Sequence, residues 1–246
     1  MALSTNVAAA EFQQQNGKNW GLIIGGLLNG TPEFTGSNQH KLSGEPIING
    51  YFNLSEKSSF FVDNSSIGLN HQLFDNFDMG VLGNVRSEQD RSKSKHRDSF
   101  ANIDEAFEVG PYFSYQLADQ LAISLSGLFD TSDTHDGWVV DLDLSHKYMI
   151  PNTPMSISTS AGLNYANKDY NNTYYGVKDS AFRSSLTMGS GVNSATLSTF
   201  ISYEISQTTA LVGSLSATQI IGDAKDSPII KQDTLVSFGL GVVYTY

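Results

Sequence analysis

Thr234 to Tyr246 reads TLVSFGLGVVYTY, and its reading decides the fold. Val236, Phe238, Leu240, Val242, Tyr244 and Tyr246 fall on one parity, while Leu235, Ser237, Gly239, Gly241, Val243 and Thr245 fall on the other. Side chains of a strand point alternately to opposite faces, so this is a strand with one apolar face and one small, mixed face. At 13 residues it exceeds the roughly 5–6 of an ordinary soluble strand. It suits a tilted membrane-spanning strand, which needs about 9–11 residues within the bilayer. An aromatic end without a polar tail suits the closing strand of an outer-membrane barrel.

Composition fits that reading. No run of the 246-residue chain approaches the length a membrane helix requires. A barrel wall needs only every second residue to be apolar, so it escapes hydropathy averages. There are no cysteines, which excludes disulfides and thiolate metal sites. The 11 Tyr and 14 Phe can supply interfacial girdles. A net charge of −11 argues against nucleic acid as a partner, because phosphate neutralisation needs a basic surface. At the amino end, ALSTNVAAA (2–10) resembles the tail of a trimmed signal peptide, without its basic and apolar regions. Residues 1–17 are therefore expected outside a barrel formed by 18–246.

Upstream of the last strand the same alternation recurs. Trp20–Leu28, Pro46–Leu54 and Ser58–Val62 are the first candidates, with Asn29–Gly44 read as a loop from its Gly, Ser, Asn and Thr. Turn signals at Asp63-Asn64-Ser65 and Asp75-Asn76 bound two more strands, Ile67–Leu73 and Phe77–Val85. Residues 86–104, RSEQDRSKSKHRDSFANID, lack periodicity and read as a charged loop. Then Phe107–Leu117, Leu121–Phe129, Trp138–Leu144, Met155–Tyr165, Ala195–Tyr203 and Leu211–Ala217 alternate in turn. Short connections (118–119, 149–153, 206–207) alternate with mostly long ones (86–104, 130–136, 167–192, 221–232). Outer-membrane barrels have short periplasmic turns and long external loops. The pattern predicts an all-β, antiparallel up-and-down transmembrane barrel of about twelve strands, with ten as the smaller count it allows.

Several stretches also carry a family resemblance. Pro32-Glu33-Phe34-Thr35-Gly36-Ser37, Glu108-Val109-Gly110, YNNTYYGV (170–177) and GDAKDSPII (222–230) occur in order before the aromatic-ended last strand. Together they resemble the MipA/OmpV family of outer-membrane proteins, along nearly the whole chain after its amino-terminal segment. Lys178 stands where that family often has serine, and Tyr246 where phenylalanine is commoner. The resemblance implies an outer-membrane protein of a Gram-negative envelope. It links the chain to scaffolding of a periplasmic murein enzyme, to adhesion, to osmotic response and to antibiotic sensitivity. It implies no catalytic residue.

The residues themselves leave three function classes. Asp133-Thr134-His135-Asp136 carries a carboxylate and an imidazole two apart, which could activate water in a surface protease. No partner motif for a second carboxylate pair accompanies it, and no G-x-S-x-G elbow or metal-ligand spacing occurs. A non-enzyme with no cofactor, metal or catalytic residue is expected. For a cation-preferring channel, parity places Glu108, Asp141, Asp143, Lys147 and Glu204 on the lumen side. For a binding or scaffold role, the long external loops offer surface to an extracellular ligand, and the short turns little to a periplasmic enzyme. Arg91, Lys93, Lys95 and Arg97 are candidates for contact with lipopolysaccharide phosphates. Membrane lipid and, during biogenesis, the barrel-assembly machinery complete the expected partners.

Overall fold

The computed structural model describes residues 19–91, 101–177 and 186–246. Twelve strands follow one another in a closed antiparallel barrel. They are β1 (Trp20–Pro32), β2 (His40–Asn53), β3 (Ser58–Asp63), β4 (Ser66–Phe74), β5 (Phe77–Arg86) and β6 (Ala106–Ala118). β7 (Leu121–Asp130), β8 (Trp138–Met149), β9 (Met155–Ala166), β10 (Gly191–Glu204), β11 (Thr209–Ile220) and β12 (Thr234–Thr245) complete the wall. Each strand pairs with its sequence neighbours, and the last closes on the first, with Leu28 opposite Leu240. Closure leaves no free edge between first and last strands, as a bilayer demands of any sheet that crosses it.

Period-two alternation sorts the side chains. Leu28, Leu125, Leu142, Leu163, Leu197, Leu215, Phe238 and Leu240 are exposed on the outer wall, where a soluble protein would bury them. Inside, hydroxyls crowd one side: Ser160 and Ser198 share a hydrogen bond at 2.6 Å, and Thr196 and Thr218 one at 2.9 Å. On the adjoining strands Leu27, Ile47, Val212 and Val243 form an apolar patch.

Two prolines sit where a missing N–H is tolerated. Pro32 ends β1, and beside it the Nε2 of His40 meets the carbonyl of Val236 at 3.1 Å. Pro46 lies in the upper part of β2, above the point where β3 ends at Asp63 opposite Asn49. Residues 40–47 therefore run on without a strand partner on that side among the described residues, and proline there removes a donor from an open edge.

Two expectations are corrected. Residues 29–44 are mostly strand, since β1 runs to Pro32 and β2 starts at His40. Their loop-like composition is overridden by a continuous ladder from Asn29↔Ser43 to Pro32↔His40. The 167–192 connection holds a helix, α1 (Lys168–Tyr175), and the last long connection a 3-10 turn at Gly222–Asp226. Residues 1–17 lie outside the described residues.

Candidate functional site: the cap over the lumen

The ends of β5, β6 and β7 meet around one carboxylate. Arg86 grips Glu108 with two hydrogen bonds, Nε to Oε1 at 2.8 Å and Nη2 to Oε2 at 3.1 Å. Asn84 donates to Oε2 at 2.8 Å. The fourth donor is His135 Nε2, 3.1 Å from Oε1. Gly137 N–H donates to His135 Nδ1 at 3.1 Å, so Nδ1 is the acceptor and Nε2 carries the proton. Glu108 is 1% exposed and His135 2%, and burial of these charges is offset by a full set of partners.

The turn that delivers His135 is built by Asp130. One of its oxygens accepts from the Ser132 N–H and hydroxyl, and the other from the His135 N–H at 2.6 Å and the Asp136 N–H at 3.0 Å. Asp133 and Asp136 take left-handed backbone conformations (φ 57° and 51°), which aspartate tolerates better than most residues. They point to solvent while the histidine turns inward. The Asp133–Asp136 stretch thus carries no exposed carboxylate–imidazole pair able to activate water.

Helix α1 folds over this cluster. Asn167 caps it, accepting from Tyr170 N–H at 3.2 Å and from Trp138 N–H at 3.0 Å. Tyr170 stacks on Tyr174 with ring centroids 4.2 Å apart, its ring edge meets His135 at 5.0 Å, and Arg86 lies 5.2 Å from its centroid. Asn171 donates to the Gly189 carbonyl and accepts from Asn193, each at 2.7 Å, which ties the helix to the start of β10. Ser227 donates to the Tyr175 carbonyl at 2.6 Å. Beside it Phe34, Val177 and Ile229 pack together, and Lys231 N–H donates to the Gly36 carbonyl. Burial holds the Tyr170 phenol up to about 12, against the pull of Arg86, and pushes Tyr174 and Tyr175 higher still.

The sequence candidates are placed as follows. Glu108 is at the centre of the cap's base. Asp141 points inward and accepts from Asn164 at 2.7 Å. Asp143 lies on the same inward row, its carboxylate filling the space beside Gly162, with Lys147 two steps lower on that row. Glu204 is exposed at the opposite end of the barrel from the cap. These five do not form one cluster. Arg91 is corrected: it is 2% exposed and its Nη2 donates to the Tyr174 carbonyl at 2.8 Å, so it faces the cap interior rather than lipid. Of the stretch read as a loop, 86–104, Arg86 ends β5 and Gln89 forms an isolated bridge with Ile103. Lys93, Lys95 and Arg97 lie outside the described residues. Sequence reading missed Arg86, Tyr170 and Tyr174, although an asparagine cap followed by tyrosines four apart is a helix signal.

The four internal stretches that carried the family resemblance converge here, in Phe34 and Gly36, Glu108, Tyr170–Val177 and Ala224–Ile229. The sequence profile described as MltA-interacting protein MipA matches residues 24–246. The outer membrane protein YiaT of Escherichia coli strain K12 is 25% identical over 127 residues, 50% of this chain and 51% of that protein. The chain thus spans about half the length of the curated relatives it matches. Among solved structures, a bacterial polysaccharide outer membrane secretin is similar with TM-score 0.50 and 11% identity, over 94% of this chain and all of that one. The translocator domain of the autotransporter NalP from Neisseria meningitidis gives TM-score 0.46 and 12% identity, over 97% of this chain and 92% of that one. At such identities the likeness is one of fold alone.

Proposed function

We propose that this chain, which belongs to the MltA-interacting protein MipA family, is a non-enzymatic outer-membrane barrel that is closed to ions at rest and binds at the cell surface through its cap. The observation that carries this reading is the stack of Tyr170 and Tyr174 over the Arg86–Glu108 pair, which fills the mouth of the barrel from inside. Twelve strands fall between the filled eight-stranded barrel and the open 16–18-stranded pore, so an inward loop decides the matter. The cap draws on every long external connection, which suits a rigid binding surface better than a gate held by one loop. The absence of enzymatic activity is supported by His135, whose two ring nitrogens are both engaged in holding the cap.

A periplasmic scaffold role is the second reading, favoured by the family's description as interacting with MltA. The turns at that end, 54–57, 75–76, 119–120, 150–154 and 205–208, are short. A stable interface buries about 800 Å² per partner, so a murein enzyme would bind weakly there or recruit residues 1–17. Of the lipopolysaccharide-contact candidates, Lys93, Lys95 and Arg97 remain as proposals from the sequence.

Ion conductance in planar bilayers tests the closed state. Wild-type protein is expected to show no steady current, and the Tyr170→Ala, Tyr174→Ala double variant to conduct. Sustained ohmic conductance of the wild type would make the chain a channel.

A further inference from the structure

The cap contains two cations in different circumstances. Arg86 is neutralised by Glu108. Arg91 is the more enclosed of the two, at 2% exposure, yet has no carboxylate partner among the described residues. Its Nη2 donates to the Tyr174 carbonyl at 2.8 Å and to Gln89 Oε1 at 3.3 Å, both neutral acceptors. Among the described residues its Nε has no acceptor and the hydroxyl of Tyr174 no partner, though both atoms are fully buried. A native fold rarely leaves a buried guanidinium uncompensated, because taking such a charge out of water without a counter-charge is strongly unfavourable. An unpaired buried donor of this kind marks a place where something else binds.

We propose that the cap is a binding site for an anionic oxygen group, a carboxylate or phosphate, with Arg91 as its counter-charge and Tyr174 as a second donor. The proposal deepens the surface-binding role above and rests on it. Arg91 offers the planar, directional donors that such oxygens accept, which a lysine would not. Burial draws the guanidinium down to about 10, the direction expected of a cation that lacks a counter-charge. The same burial keeps Tyr174 protonated and able to donate. Arg91 is anchored from both sides: its N–H donates to Asn102 Oδ1 at 2.8 Å, and its side chain is fixed by the end of α1. An anion there would link the Gln89–Arg91 stretch to the helix and so lock the cap.

Hydrogen exchange at the amides of residues 170–175 tests this on the full-length barrel. In lipopolysaccharide-free detergent at constant ionic strength, inorganic phosphate or acetate at about 100 times its Kd should slow exchange about 100-fold over chloride alone. Arg91→Gln should abolish the effect, and Arg91→Lys should keep a weaker one. Tyr174→Phe should lower affinity about 5-fold, one ordinary hydrogen bond. Should Arg91→Gln not fold, the last two variants carry the test. Protection seen only in phosphatidylcholine vesicles containing lipopolysaccharide would assign the anion to a lipid headgroup. No protection by phosphate, acetate or lipopolysaccharide overturns the site, as does undiminished protection in Arg91→Gln. A non-conducting wild type without anion protection would sink this site and leave the closed barrel standing. A conducting wild type would sink the closed barrel instead.

Discussion

Glu108 accepts four hydrogen bonds, two from Arg86 and one each from Asn84 and His135. Replacing it by Gln keeps the shape and removes the charge, so the half-buried Arg86 is left beside a weaker acceptor. Loss of about 3–5 kcal/mol is expected for a buried pair broken on one side. The Arg86→Met, Glu108→Leu double variant should lose less than the sum of its singles in urea unfolding; simple additivity would mean that the pair is not coupled. The opposite face follows the opposite rule. Leu142 faces lipid, whereas Asp141 beside it faces Asn164. Leu142→Arg should cost about 2–4 kcal/mol at mid-membrane, and Asp141→Asn much less, in folding into liposomes. Equal costs would put the two residues on the wrong sides of the wall. Which side each residue takes was readable, because parity along one strand needs only local sequence. That Glu108 meets Arg86 was not, since it follows from the β5–β6 register that sets Arg86 opposite Ala106 across the 87–105 connection.

Strands β6 and β7 pass close to one another where Gly110, beside Pro111, meets the Gly127 carbonyl. Pro111 has no N–H to give, and pairing between the two strands lapses between Val109↔Phe129 and Tyr112↔Ser126. A Cβ on Gly110 would fall well inside contact distance of the Gly127 carbonyl, whereas one on Gly127 meets nothing within 4 Å. Gly110→Ala is therefore expected to prevent the heat-modifiable folded band on gels, and Gly127→Ala to stay within about 0.5 kcal/mol of wild type. Comparable behaviour of the two would refute the close approach. At this scale all twelve strands were legible, most because an apolar outer row shows without help from neighbours; in Trp20–Leu28 both parities are apolar or glycine, so the strand showed there but not its faces. The upper halves of β1 and β2 were hidden, since glycine, serine and asparagine there look like a loop until the ladder is seen. Helix α1 was hidden for another reason: KDYNNTYY is polar by composition, and its tyrosines become a buried face only once a barrel mouth surrounds them.

The barrel and its cap are held by different forces, so they should fail under different conditions. The wall rests on a closed ladder of amides, which do not titrate, and on lipid-facing side chains that are mostly apolar. The cap rests on buried phenols. Tyr170 has its proton held up to about 12 by burial, against an ordinary value of 10.0. Below pH 10 the phenol is neutral whether the cap is shut or open, and the stability it lends is fully present. Between 10 and about 12 the opened form loses its proton while the shut form keeps it. The shut form then binds more protons, and stability falls as pH rises. Each unit in that window costs up to about 1.4 kcal/mol for this one group; Arg91, drawn down to about 10 by burial, works in the opposite direction there, while Tyr174 and Tyr175, shifted in the same direction as Tyr170, extend the loss to higher pH. Alkaline titration in a planar bilayer should therefore open a conductance above pH 10 while strand circular dichroism is unchanged. Tyr170→Phe, which cannot ionise, should shift the opening to higher pH. A conductance independent of pH, or one that appears only as the strand signal is lost, would show that cap and wall are a single cooperative unit.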